Sequence, residues 1–145
     1  MPSLTRRRDP DARQERWRVY YGDVRVGTIG MRSGVPVTVD QWCWSVGFYP
    51  MSHRGEREDG TAPDFSKARA GFDVAWSRLL PKITETELAE HRQERAWTEW
   101  KYRMWDCGCK LPTQEADGVS LCFCGAEVDI PGMLQHVYDE HMECR

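Results

Sequence analysis

The front half of the chain alternates as strands do. Trp17–Tyr21 and Val24–Ile29 are rich in β-branched and aromatic residues, and they flank the turn pair Gly22-Asp23. That pattern predicts a β-hairpin. From Gln41 to Tyr49, Trp42, Trp44, Val46 and Phe48 fall on one side, and Gln41, Cys43, Ser45, Gly47 and Tyr49 on the other. This period of two marks a strand with one buried face. Val35–Val39 holds strand formers around Pro36, which restricts it to an edge strand or an irregular lead-in. Residues 1–15 show no apolar period and read as a flexible basic tail, while 51–63 read as a polar loop.

The period then lengthens to that of a helix. Ala68, Phe72, Ala75, Trp76 and Leu79 share one stripe, with Asp64 as N-cap and Pro81 as stop, predicting a helix over 64–80. Thr84-x-x-Glu87 is a capping box that opens a second helix, running to Trp105 with Ala89, Ala96, Trp97, Trp100 and Met104 on its apolar side. At 1.5 Å per residue it is about 33 Å long. The expected fold class is α+β: a small antiparallel sheet of three to four strands packed by two helices over residues 16–106, then a C-terminal module over 107–145. Seven tryptophans suit such a core, with rings stacked beside arginines as the sharper alternative.

Composition narrows the setting. The 145 residues are 40% hydrophobic and 30% charged, enough apolar material for a folded core. No run of 18 apolar residues occurs, so no membrane span is expected. The arginines near the N-terminus precede no apolar stretch, which argues against export and for the cytoplasm. Charge is graded along the chain. Residues 1–58 carry ten basic and seven acidic side chains, whereas 107–145 carry two and seven. The front tolerates a polyanion and the tail repels one.

Five of the six cysteines and two of the four histidines lie in the last 39 residues, as Cys107-Gly108-Cys109, Cys122-Phe123-Cys124, His136, His141 and Cys144. In a reducing compartment such a cluster points to metal rather than disulfides. The run from Cys122 to His141 resembles the two-cysteine, two-histidine (CCHH) zinc finger, with Val128 and Met133 in its apolar places, Asp129 as a helix cap and Pro131 in the first turn. The resemblance implies a zinc-finger-like ββα module, Zn2+ as cofactor, and Cys122, Cys124, His136 and His141 as ligands. One residue separates the cysteines and eleven separate Cys124 from His136, both tighter than the family's usual spacing. Spacing alone leaves other arrangements open. Cys107, Cys109, Cys122 and Cys124 could form an all-cysteine site similar to a zinc ribbon, Cys109 could join a mixed site, or the cysteines could be free. The stretches Trp42–Pro50, Gly60–Trp76, Trp97–Trp105 and Cys122–Ala126 also look like those of small uncharacterised bacterial proteins.

Four protein ligands close a zinc site, whereas catalysis needs an open position. No H-E-x-x-H, no deaminase pairing and no nucleophile motif occurs, so the chain is expected not to be an enzyme; a hydrolase with an incomplete zinc site is the weaker alternative. The leading expectation is a cytosolic zinc-binding adaptor or regulatory protein whose finger contacts a protein partner. The runner-up is a nucleic-acid-binding transcriptional regulator using Arg6, Arg7, Arg8, Arg16, Arg18 and Arg25. The finger helix offers Gly132, Gln135, Asp139, Glu140 and Glu143, a set unsuited to base edges. Duplex DNA binding is therefore expected to be weak, about 10⁻⁴ M or poorer at physiological salt. Cys43 is expected to be a small buried residue, and His53 and His91 to be solvated.

Overall fold

In the computed structural model, which describes residues 3–142, the alternating segments become an antiparallel meander of five strands, not three to four. The strands are β1 (Leu4–Arg8), β2 (Arg16–Tyr21), β3 (Val24–Met31), β4 (Trp42–Val46) and β5 (Glu58–Ala62), hydrogen-bonded in chain order. The two additional strands lie where no apolar alternation signals them. β1 occupies the expected tail and pairs with β2 from Leu4↔Tyr21 to Arg8↔Trp17. Its arginines lie over the rings of β2, Arg6 at 4.4 Å from the Trp17 centroid and Arg7 at 4.6 Å from Tyr20. Cation–π contact thus takes the place of apolar packing along this edge. β5 occupies the expected polar loop, where a 3₁₀ turn at Met51–Arg54 also buries Met51 fully. Val35–Val39 forms no strand, and Val37 is exposed.

Helix α1 (Phe65–Leu79) covers one face of this sheet, against β3, β4 and β5. Asp64 caps it, its carboxylate accepting from Lys67 N–H at 2.8 Å. Ala68, Phe72, Ala75, Trp76 and Leu79 are buried, the predicted stripe in full. Backbone must come close for this packing. The Trp44 indole lies between Gly60 on β5 and Gly71 on α1, where a Cβ would stand 2.7 and 2.6 Å from its ring atoms. A Cβ on Gly27 would meet Ser45 O and the Phe72 ring.

Helix α2 (Glu85–Asp106) opens with the predicted capping box: Glu87 N–H donates to Thr84 Oγ1 at 3.1 Å, and Thr84 N–H to Glu87 Oε1 at 3.2 Å. The same carboxylate is forked by Arg54 Nε and Nη2, both at 2.8 Å, and Arg54 also donates to Lys82 O. His91 packs edge-on to Phe48 at 5.4 Å with Nδ1 3.2 Å from Tyr49 O; it is half-buried rather than solvated, while His53 is exposed as expected. Cys43 is half-buried on the sheet face away from α1, not in the core.

The described residues divide into two compact units at His91/Arg92. Ala96, Trp100 and Met104 of α2 pack with Cys122, Val128 and Val137, so the second half of α2 shares a core with the C-terminal segment and the division precedes the boundary expected after Asp106. Six tryptophans are buried or half-buried, whereas Trp105 is 79% exposed. No helix among the described residues is long and apolar enough to cross a membrane.

Two predictions follow from this packing. Replacing a mid-helix glycine with alanine ordinarily stabilises by about 1 kcal/mol. At Gly71 the added methyl meets the Trp44 ring, so Gly71→Ala should instead destabilise the chain by about 1–3 kcal/mol in denaturant titration. A stabilised variant would contradict the close approach. The second concerns Glu87, whose carboxyl is held below its ordinary value by the Arg54 fork and then by the bonds from Thr84. Its contribution is complete above the unfolded carboxylate range and is lost as pH falls through the lowered folded value. Melting curves of wild type and Glu87→Gln should therefore converge below about pH 4 and separate above it.

Candidate metal centre

The second unit builds its site from two very short strands and a short helix. β6 (Val119–Leu121) and β7 (Glu127–Asp129) pair antiparallel, and α3 (Met133–Glu140) follows, giving the ββα order. Cys122 and Cys124 lie on the turn between the strands, closed by Cys122 N–H to Ala126 O and Gly125 N–H to Cys122 O, each 2.8 Å. Gly125 takes φ +93°, a conformation that favours glycine and lets the knuckle close with one residue between the cysteines. Asp129 Oδ1 accepts from Gly132 N–H at 2.7 Å; it fixes the turn into α3, and Gly132 rather than Asp129 is the N-cap.

The five-residue step from His136 to His141 would rotate their side chains about 140° apart on a continuous helix. The helix ends at Glu140, and His141 leaves it with φ −126° and ψ 12°. Both imidazoles consequently turn Nε2 to the same point. The two Nε2 atoms lie 3.3 Å apart, Cys122 Sγ lies 3.5 Å from His141 Nε2, and Cys124 Sγ lies 3.5 Å from His136 Nε2. All four donor atoms are within 4.8 Å of one another. A tetrahedron with Zn–N near 2.05 Å and Zn–S near 2.3 Å has N···N edges of about 3.3 Å and S···N edges of about 3.6 Å. Cys122, Cys124, His136 and His141 could therefore hold a metal ion, with two soft and two borderline donors.

The surroundings act on these donors. Cys122 is only 3% exposed, and Trp100 Nε1–H donates to its sulfur at 3.3 Å. Burial pushes the Cys122 thiol up, and burial followed by the neighbouring His136 holds His141 below its ordinary value. The site thus favours neutral imidazole, the ligating form, and penalises an uncompensated thiolate. A divalent cation would balance two thiolates and remove that penalty. The Phe123 ring packs on His141 with centroids 4.8 Å apart, and the Arg103 guanidinium lies over the same Phe123 ring, 4.8 Å from its centroid.

Cys107 and Cys109 are placed elsewhere by the end of α2. Gly108, at φ +70°, follows the last helical residues; its N–H donates to Trp105 O, and Cys109 N–H donates to Met104 O at 2.8 Å. This is a Schellman cap, in which Cys109 packs back toward the core as an apolar residue. Neither cysteine belongs to the donor group, and Cys144 and Glu143 lie outside the described residues. The Trp100–sulfur bond had no signal in spacing, because Trp100 stands 22 positions from Cys122.

The runner-up arginines are separated by the pleat. Arg6 and Arg8 share the α1 side of β1, with Arg6 4.6 Å from Phe65 as well as over Trp17. Arg7, Arg16, Arg18 and Arg25 register on the opposite face.

Removing the indole donor tests the second layer. Trp100→Phe should keep the fold yet weaken metal retention about 10–100-fold in competition with a chromophoric chelator. Cys107→Ser with Cys109→Ser should leave retention unchanged. Compared with protein-family models, curated proteins and solved structures, the chain matches none, so the reading of this centre rests on its own donors and distances.

Proposed function

We propose that the chain is a small cytoplasmic zinc-binding adaptor or regulatory protein, not an enzyme, in which a structural zinc ion holds the second unit and presents a protein-contact surface. The observation that carries this reading is the convergence of Cys122, Cys124, His136 and His141 within 4.8 Å, with the His136–His141 N···N distance and the two shortest S···N distances at tetrahedral zinc values. Four protein donors fill a tetrahedron, which leaves no coordination position for an activated water. Thiolate ligands persist in a reducing compartment, which is why the cytoplasm is the setting proposed. For the contact surface, Ile130 in the turn before α3 and Leu134 in its first turn are 48% and 44% exposed. Gln135 donates to Asp139 on the same helix, and the acidic balance of 107–145 disfavours a nucleic-acid partner for this unit.

Elemental analysis of chain purified without chelator should give about one zinc per molecule, and the cobalt-substituted form should show the intense visible bands of four-coordinate cobalt. His136→Ala should lose the metal. Leu134→Asp should keep it but lose capture of the protein that the wild type enriches. Absence of metal, or a five-coordinate cobalt spectrum with an exchangeable water, would contradict a closed structural centre.

A further inference from the structure

We propose that the sheet face of the first unit turned away from α1 binds single-stranded nucleic acid through its phosphates, independently of the metal centre. Antiparallel register places Arg7 of β1, Arg16 and Arg18 of β2 and Arg25 of β3 on this face, with Arg25 paired opposite Tyr20. Arg7, Arg16 and Arg25 are exposed. The core lies on the other face, so folding does not require four cations here.

The arrangement costs the free protein stability. Arg7 and Arg18 are direct cross-strand partners, and like charges in facing positions are destabilising. Arg16 sits two residues from Arg18, on the same side of the strand. Counter-charge is partial: Asp9 accepts from Arg18 Nη2 at 3.1 Å, while Asp59 of β5 and Asp40, which accepts from Thr61 Oγ1 at 2.9 Å, stand at the far edge of the same face. Arg18 Nε remains buried without a hydrogen-bond partner. Beside these groups opens a cavity of about 490 Å³ walled by Arg13, Arg16, Arg18 and Ser33, with Asp9 and Asp11. A phosphate group supplies what is missing: acceptor oxygens in the planar geometry that guanidinium forks fit, and negative charge between facing arginines.

The shape selects the form of nucleic acid. A duplex groove admits a helix or a two-stranded ribbon, whereas this face spans five strands backed by α1. A single strand lays its phosphates along a basic track and its bases against aromatic or guanidinium planes. The Arg7 guanidinium, 4.6 Å from the Tyr20 centroid, offers such a plane. Thr28 and Ser45, paired across β3 and β4, continue the face with hydroxyl donors toward Thr61.

The test is fluorescence anisotropy of the full, zinc-loaded chain with a labelled 20-nucleotide mixed-sequence single strand and with its duplex. Four phosphate contacts predict a log–log salt slope of about −3, hence roughly fifty-fold weaker binding at 200 than at 50 mM salt. Arg7→Gln with Arg25→Gln should remove about half that slope and weaken binding at 50 mM salt at least tenfold. Arg7→Gln removes both the repulsion from Arg18 and the contact with Tyr20, so its melting curve, read beside that of Arg25→Gln, which makes neither change, separates lost binding from lost fold. Arg69→Gln, on α1, should leave binding unchanged. No binding at 50 mM salt, equal binding by the double variant, or tighter binding of the duplex would each overturn the proposal.

Discussion

The second unit is organised around one convergence, that of two thiols and two imidazoles, beside a hairpin whose two strands are three residues each. Its buried side chains are few: Pro112 and the cluster Ala96, Trp100, Met104, Cys122, Val128 and Val137. Strands of three residues and a helix of eight cannot hold themselves in place by backbone bonding alone. A segment this sparse gains most from a staple that joins hairpin to helix, and the four donors stand at that junction. Trp100 extends the same constraint into α2, because its indole packs in the core while its N–H reaches the Cys122 sulfur. The sulfur is thus oriented from its protein side as well as by any ion it binds.

Local chemistry made much of this readable before any coordinates. The α1 stripe, the Asp64 cap, the Thr84–Glu87 box and the β2–β3 hairpin all depend on residues within a few positions of one another. The four donors were legible for the same reason, since a knuckle and a helix leave a spacing. Elements held by distant partners were not legible. β1 reads as a charged tail until Trp17 and Tyr20 are placed beneath its arginines. β5 holds one buried residue, Ala62, and its Gly60 is explained only by Trp44 on the next strand. Arg54 finds Glu87 across 33 positions, and nothing near either residue announces it.

Spacing also misled where two devices share one pattern. Cys107-Gly108-Cys109 has the same C-x-C form as Cys122-Phe123-Cys124, and sequence alone gives both pairs the standing of ligands. The first serves a helix C-terminus, with glycine supplying the left-handed residue and Cys109 the apolar contact. The second closes a hairpin and directs sulfur outward from the turn toward two imidazoles. What separates them is the element that precedes each pair, a long helix in one case and a strand in the other. The same holds for α2, whose apolar stripe continues past His91 although its packing partners change there.

The period of two does for the arginines what the helix end does for the histidines. Arg6, Arg7 and Arg8 are equivalent as a charge run, yet pleating sends Arg6 onto Trp17 and Phe65 while Arg7 faces Arg18. A shift of one residue in β1 would exchange these roles, placing Arg7 against the core side and both Arg6 and Arg8 on the open face. The aromatic contacts of Arg6 therefore fix the register that sets Arg7 against Arg18. The contacts toward α1 and the charge proposed to meet a ligand thus fall on alternate residues of this strand, with Arg7 also covering Tyr20. The charge gradient follows the same division of labour. Acidic residues gather in the unit where thiols and imidazoles converge, and the facing arginines gather in the unit whose core is complete without them.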